Sequence, residues 1–215
     1  MKKKIVILSI LLIFVSIIIY ILYLFNIIPH KKYTNEHFKI DTYRSTIDKD
    51  NDGIDDQTDI LNNVRNYIKT KPKYLSKYYG TGYPDDDHGV CTDVVAFGLK
   101  DAEYDLRELV NEDIKKNRDS YNIEVIDKNI DFRRVQNLRV YFKNNSIELT
   151  TNLKQIKEWQ GGDIVIFDKH IGIVSDKRNY KGIPFLIHHN KSSQNHGYEE
   201  DVLSNYKITG HYRVS

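Results

Sequence analysis

From Ile5 to Ile28 the chain is an almost unbroken apolar run of 24 residues, with Ser9, Ser16 and Asn26 as its polar interruptions. At a rise of about 1.5 Å per residue a helix of that length reaches roughly 36 Å, enough to cross a bilayer with some tilt. The run is too long for the apolar core of a secretory signal, and no small-x-small cleavage pattern follows it. It reads as an uncleaved signal anchor over residues 5–28. Lys2, Lys3, Lys4 and the free amino group outweigh Lys31 and Lys32. That bias predicts a cytoplasmic tail of residues 1–4, a single-pass anchor in the cell membrane, and an extracytoplasmic remainder from Pro29 onward.

About 185 residues follow the anchor, the size of one domain with a real core. The formal net charge is +2 with its signs interleaved and no sustained basic stripe, which excludes nucleic acid as a partner class. Tyrosine is frequent, at 16 residues, but scattered rather than arranged as a repeating aromatic platform. The single cysteine excludes an intrachain disulfide framework. Outside the cytoplasm it leaves a free thiol that needs a reason to be there.

Residues 29–47 read as a polar linker, and 48–215 as the domain. The domain opens on Asp48-Lys49-Asp50-Asn51-Asp52-Gly53-Ile54-Asp55-Asp56-Gln57-Thr58-Asp59. Counting Asp48 as position 1, carboxylates fall at 1, 3, 5, 9 and 12 (Asp48, Asp50, Asp52, Asp56, Asp59), glycine at 6, and the Ile54 carbonyl at 7. This is the spacing of an EF-hand-type calcium loop, in which alternate side chains converge on the ion and glycine permits the sharp turn. Position 12 carries Asp where an EF-hand has Glu, so the predicted structural Ca2+ site has a shorter arm. Millimolar calcium outside the cell would suit it.

Helical periodicity follows: Ile60, Leu61, Val64, Tyr67 and Ile68 share one face. The next stretch, Tyr78 to Gly89, is a loop by composition, and its aromatic and acidic residues, Tyr83 among them, are candidates for lining a substrate groove. It ends at Gly89-Val90-Cys91-Thr92-Asp93-Val94-Val95-Ala96-Phe97, where the lone thiol stands at the start of an apolar helix. A helix N-terminus lowers a thiol pKa through its dipole, and its unpaired amides can stabilise an oxyanion beside the sulfur. Asp93, in the same first turn, pulls the other way. A second helix is predicted from Asp105, with Glu108 completing a capping box. A third is predicted from Phe132 to about Phe142, with Arg133 and Arg134 at its start. Arginines there oppose the dipole, so they are expected to serve a carboxylate.

From Ile147 the pattern turns to short strands: 163–167, 170–175, 185–189 and 210–214. Helices followed by an antiparallel sheet make an α+β domain. Alternation puts His170, Gly172 and Val174 on one strand face, and His188 and Asn190 together on a face of the next.

Cysteine at a helix start, then a strand opening with histidine, then a neighbouring strand with a polar residue: this order resembles the papain-like superfamily, closest to the NlpC-type cell-wall peptidases. Gly161-Gly162-Asp163-Ile164-Val165-Ile166-Phe167, His170-Ile171-Gly172-Ile173 and Leu186-Ile187-His188 resemble their strand motifs. Val-Cys-Thr-Asp stands where those enzymes usually carry Asp-Cys-Ser. More specifically the chain resembles a bacterial family catalogued as domain of unknown function 1287, over about residue 55 to the C-terminus. The motifs that carry it are Gly89 to Val95, Asn129 to Val135 with Asn137-Leu138, His170 to Asp176, Glu200-Asp201-Val202-Leu203 and Gly210 to Arg213.

The superfamily resemblance implies a papain-like fold, Cys91 as nucleophile, His170 as its base, and a polar residue on the next strand, His188 or Asn190, to orient the imidazole. His188 is taken in that role. Asp93, Arg133, Arg134, Tyr83 and Asn190 are the candidate substrate contacts. The expected function is a membrane-anchored cysteine peptidase or amidase acting on peptidoglycan peptides. Its rivals are acyl-transfer or thioesterase chemistry on the same fold, and a calcium-stabilised binding module with a dead site.

Overall fold

In the computed structural model, which describes residues 2–25, 27–190 and 198–214, the apolar run forms α1 (Lys2–Leu24). It buries no residue, and it is the one helix among the described residues long and apolar enough to cross a membrane. Asn26, the last polar residue of the run, lies outside the described residues.

The rest is a mixed α+β unit. Helix α2 (Asp56–Lys69) starts where Asp55 turns its carboxylate back to accept the Thr58 amide and hydroxyl, which satisfies an amide the helix itself cannot pair. Two short parallel strands, β1 (Lys73–Tyr74) and β2 (His88–Gly89), bracket the acidic loop and lead into α3 (Cys91–Lys100). Helix α4 (Leu106–Lys116) is capped by Asp105, which accepts the Arg107 amide, and it ends on Lys115 and Lys116, charges that suit the negative end of its dipole. Helix α5 (Val135–Asn145) closes the helical half. The predicted third helix therefore begins later than expected. Asp131–Arg133 is a separate 3-10 turn and Arg134 is extended (φ −105°, ψ 119°), so the two arginines sit before the helix, not in it.

Six antiparallel strands make the other half: β3 (Ile147–Glu148), β4 (Ile164–Phe167), β5 (Ile171–Arg178), β6 (Pro184–Ile187), β7 (Glu199–Glu200) and β8 (Ile208–Arg213), in the order β3-β8-β4-β5-β6-β7. Both faces are covered, and period-two alternation divides them. Ile164, Ile166, Ile171, Ile173 and Ile187 face the helices and pack with Ile60, Val64, Val94, Leu99, Leu106, Leu138 and Phe142. Val165, Phe167, Val174 and Leu186 face the other way, onto Trp159 and Leu203.

Helix α3 lies between α2 and β5 and is held there by small size at one position. A Cβ added at Gly98 would stand 2.9 Å from Ile173 Cδ1 and 3.1 Å from Val64 Cβ, closer than packed carbons approach. The helix buries Val94, Val95 and Leu99 completely or nearly so. At about 1.5–3 kcal/mol for each fully buried aliphatic side chain, that is enough to fix its axis and hence the place of its first residue, Cys91.

Residues 29–47 are not a free linker throughout. Tyr33 pairs with Arg178 in a β-bridge, Ile40 is buried, and the buried Asn35 hydrogen-bonds Gln160 and Arg178. Their polar composition reflects buried hydrogen bonds, which composition alone does not distinguish from solvated ones.

Candidate active site

Cys91 is the first residue of α3 and half-buried. Asp93 at the third helical position accepts the Val90 amide at 2.8 Å, so the turn that carries the thiol is closed by a side chain. Around the sulfur, burial is the dominant influence and raises its pKa. The amide of Ile171 on β5, and those of Thr92 and of Cys91 itself, favour the thiolate, while the Asp93 charge opposes it. The net result is a thiol pushed up to about 11. The helix N-terminus was expected to lower this value. It does act in that direction, but desolvation of a sulfur enclosed between α3 and β5 outweighs it.

His170 directly precedes the Ile171 amide that reaches the sulfur, and its ring lies 5.9 Å from that of Phe167 at the mouth of β5. Its Nε2 lies 2.8 Å from Nδ1 of His188, and the two rings meet edge to face at 5.0 Å. His188 is fully buried at the end of β6, and its Nε2 lies 3.2 Å from Oε2 of Glu200 on β7. A hydrogen bond from His188 Nε2–H to Glu200 lets His188 Nδ1 accept from His170 Nε2–H, an order that leaves Nδ1 of His170 with the lone pair. Burial first, then the neighbouring His188 and His189, pushes His170 down to about 3. At rest the Cys91 thiol and the His170 imidazole are therefore both neutral.

Glu200 was not singled out as a site residue. Its only signal was its place in the Glu200-Asp201-Val202-Leu203 motif. Tyr74 was missed too: its exposed ring lies close enough to Cys91 for the thiolate charge to oppose ionisation of the phenol, after burial. The buried His189 holds that segment in place, its Nε2 2.6 Å from the Pro72 carbonyl and its ring 5.5 Å from Tyr74.

Of the five candidate substrate contacts, Asn190 is the one beside the histidines. It lines a cavity of about 300 Å³ with Phe167, Asp168, Lys169, His170, Tyr206 and Lys207, and its amide approaches Tyr206 at 3.5 Å. His188, not Asn190, makes the bond to His170. Arg133 and Asp93 are engaged with each other: Nε and Nη2 of Arg133 reach the two carboxylate oxygens at 2.6 and 2.9 Å, both side chains buried. Arg133 also donates to the Lys77 carbonyl. The expectation that it serves a carboxylate is met inside the protein, and neither group is open to a substrate. Arg134 is exposed and pairs with Asp131 at 3.1 Å. Tyr83 is a core residue, its ring against Phe97 and Phe132 and its hydroxyl donating to Asp105 at 2.8 Å. Two acids of its loop are neutralised locally, Asp86 by Lys77 and Asp87 by Lys73. Aromatic rings in a Gly/Pro loop looked like a groove, but the tight turns serve to fold the rings inward.

His211 has a structural part. It stacks on Trp159 at 3.8 Å and lies 3.0 Å from Asp163, a fully buried carboxylate that also receives both prongs of Arg213. These contacts tie β8 to the start of β4.

Among known proteins, a family model described as "Domain of unknown function (DUF1287)" matches residues 61–214. The chain is 38% identical over 151 residues to "Uncharacterized protein YijF" of Escherichia coli (strain K12), an alignment that spans 66% of this chain and 72% of that one. No solved structure matches.

Proposed function

On the premise that the chain belongs to the DUF1287 family, we propose that it is a membrane-anchored, extracytoplasmic cysteine hydrolase of papain-like type that cleaves amide bonds in peptidoglycan peptides. The observation that carries this reading is the hydrogen-bonded series His170–His188–Glu200, whose first member directly precedes the Ile171 amide that reaches the sulfur of Cys91, the only cysteine of the chain. A histidine whose outer nitrogen is held as N–H and whose inner nitrogen keeps its lone pair is set up as a base, and His188 and Glu200 orient it.

In this mechanism Nδ1 of His170 takes the Sγ proton as the S–C bond forms on the substrate carbonyl. Transfer is coupled to attack because both partners are neutral at rest. The backbone amides that surround Sγ, those of Thr92 and Ile171, are the donors nearest the developing oxyanion. The imidazolium formed on His170 is steadied through His188 by the Glu200 carboxylate. It then protonates the leaving amine, and the acyl group stays on sulfur. Water enters with His170 again as base, the thioester is hydrolysed to a carboxylic acid, and the thiol is restored. The cavity beside His170 carries Lys169 and Lys207 against Asp168, a net positive lining that favours an acidic peptide over an acyl chain. Helix α1 supports the anchored reading by its length and composition.

The full-length protein in detergent, incubated with purified muropeptides and read by mass spectrometry, is expected to release peptide fragments, and Cys91→Ala to release none. Fragments that persist in Cys91→Ala, or no fragments from wild type, would overturn the reading. Turnover of acyl esters in place of muropeptides would shift it to acyl-transfer chemistry.

A further inference from the structure

The geometry points to a calcium site at the start of α2, formed by Asp48, Asp50, Asp52 and Asp59 with the Ile54 carbonyl, independent of the hydrolase chemistry. Carboxylate oxygens of Asp48, Asp50 and Asp52 lie within 4.8 Å of one another. Acidic clusters are common on surfaces, and this protein has another, Asp86-Asp87-His88. The two differ in how their charge is balanced. In the second cluster Lys77 and Lys73 contact the two carboxylates directly. In the first, none of Asp48, Asp50, Asp52 or Asp59 has an ion-pair partner among the described residues, and the lysine within the loop, Lys49, turns away to the Glu103 carbonyl.

Asp59 supplies the independent observation. It is 6% exposed, and its Oδ2 is buried without any hydrogen-bond partner. An orphaned carboxylate oxygen is among the costliest groups to bury. Its carboxylate lies near enough to Asp52 and Asp50 for their charges, after burial, to oppose its ionisation. A buried oxygen with no donor, near carboxylates that also lack a cation, fits a hard divalent ion held by oxygen ligands. Gly53, at φ +93°, makes the turn that folds the first three aspartates together.

Asp56 departs from the sequence expectation. Its carboxylate is buried and accepts the Lys49 amide at 2.8 Å and the Tyr104 hydroxyl, so it pins the loop to the segment after α3 and is not a direct ligand. The ion would thus tie the N-terminus of α2 to a loop already docked beside α3, the helix that carries Cys91.

The test is calcium binding to the full-length protein in detergent, by isothermal titration and by thermal melting in calcium, in magnesium and in chelator. One Ca2+ per chain is expected, with a dissociation constant on the order of 10⁻⁴–10⁻³ M, the range of extracellular modules, and a melting temperature raised by calcium but not by equimolar magnesium. Asp50→Asn and Asp59→Asn are each expected to weaken binding at least about tenfold. Asp59→Asn in chelator is expected to melt no lower than wild type, which separates loss of a ligand from loss of the fold. No binding by wild type at 10-fold the upper concentration of that range, equal shifts with magnesium, or unchanged binding in both variants would overturn the site. Muropeptide cleavage tested separately leaves the two conclusions distinguishable.

Discussion

Nε2 of His170 lies 2.8 Å from Nδ1 of His188, whose own Nε2 lies 3.2 Å from Oε2 of Glu200. A hydrogen bond from His188 Nε2–H to the Glu200 carboxylate frees His188 Nδ1 to accept from His170. In that order a carboxylate two residues removed from the reacting base sets which side of that base is basic. His170 is too buried to hold a proton at rest, and so the arrangement acts when the proton arrives from sulfur, not before.

Glu200→Gln tests that relay. Glutamine can still accept from His188, so the tautomers and the fold persist, but the negative charge that steadies the imidazolium is gone. The expected result is a fall in kcat for muropeptide cleavage of roughly 10–100-fold, with KM nearly unchanged and the melting temperature preserved. Loss of stability with unchanged kcat would make Glu200 a structural residue only.

Alkylation reads the thiol directly. With Cys91 raised to about 11 from 9.0 by burial, its thiolate fraction at pH 7 is about 100-fold below that of a free thiol. Iodoacetamide labelling is expected to be slow at neutral pH and to climb about tenfold per pH unit until it levels near pH 11. Rapid labelling at pH 7 that declines only toward pH 4 would mean an ion pair already present in the resting site.

Much of this was legible in the sequence. The apolar run predicts α1, period-two runs predict the sheet core, and strand alternation puts His170 and His188 within reach of each other. Other features depend on what lies across the fold. The sign of the Cys91 shift is set by β5, about 80 residues away in sequence, whose packing encloses the sulfur. Arg133 meets Asp93 only because the 3-10 turn Asp131–Arg133 lies against α3, and no local pattern announces that pairing. Tyr83 carries the composition of a groove and the burial of a core residue for the same reason.

Burial of His170 has a signature in acid stability. Its folded pKa, about 3, is depressed below the unfolded value near 6.5. Below pH 6.5 the unfolded chain takes up a proton that the folded site refuses, so this contribution is complete above 6.5 and is lost as pH falls toward 3. Between pH 6.5 and 5 the carboxylates are still ionised in the unfolded chain, and Asp59, raised to about 6 by burial and then by its acidic neighbours, contributes equally to wild type and variant, so the difference between the two isolates His170. Glu199, held near 2 by Arg65, Lys177 and Ser175 against burial, adds its own loss only below about 4.5. His170→Asn is expected to flatten the fall in urea midpoint between pH 6.5 and 5, by up to about 1.4 kcal/mol per pH unit relative to wild type. Parallel curves for the two proteins would mean that His170 titrates normally in the folded state.

The buried pair beneath the nucleophile gives the sharpest structural test. Arg133 holds both oxygens of Asp93 while Asp93 also caps the Val90 amide, so the carboxylate is shared between the ion pair and the turn that presents Cys91. Arg133→Met keeps the apolar bulk and strands the buried charge, and breaking such a pair from one side costs about 3–5 kcal/mol. Activity is expected to fall with it, because the unpaired carboxylate pulls the first turn of α3 toward water. Adding Asp93→Asn to Arg133→Met removes the charge and keeps an oxygen for the Val90 amide. The double variant is therefore expected to recover most of the lost stability in urea unfolding, and much of the cleavage rate. If it is no more stable than Arg133→Met alone, the pair is not what holds the Cys91 turn, and Arg133 supports the site through its contact with the Lys77 carbonyl instead.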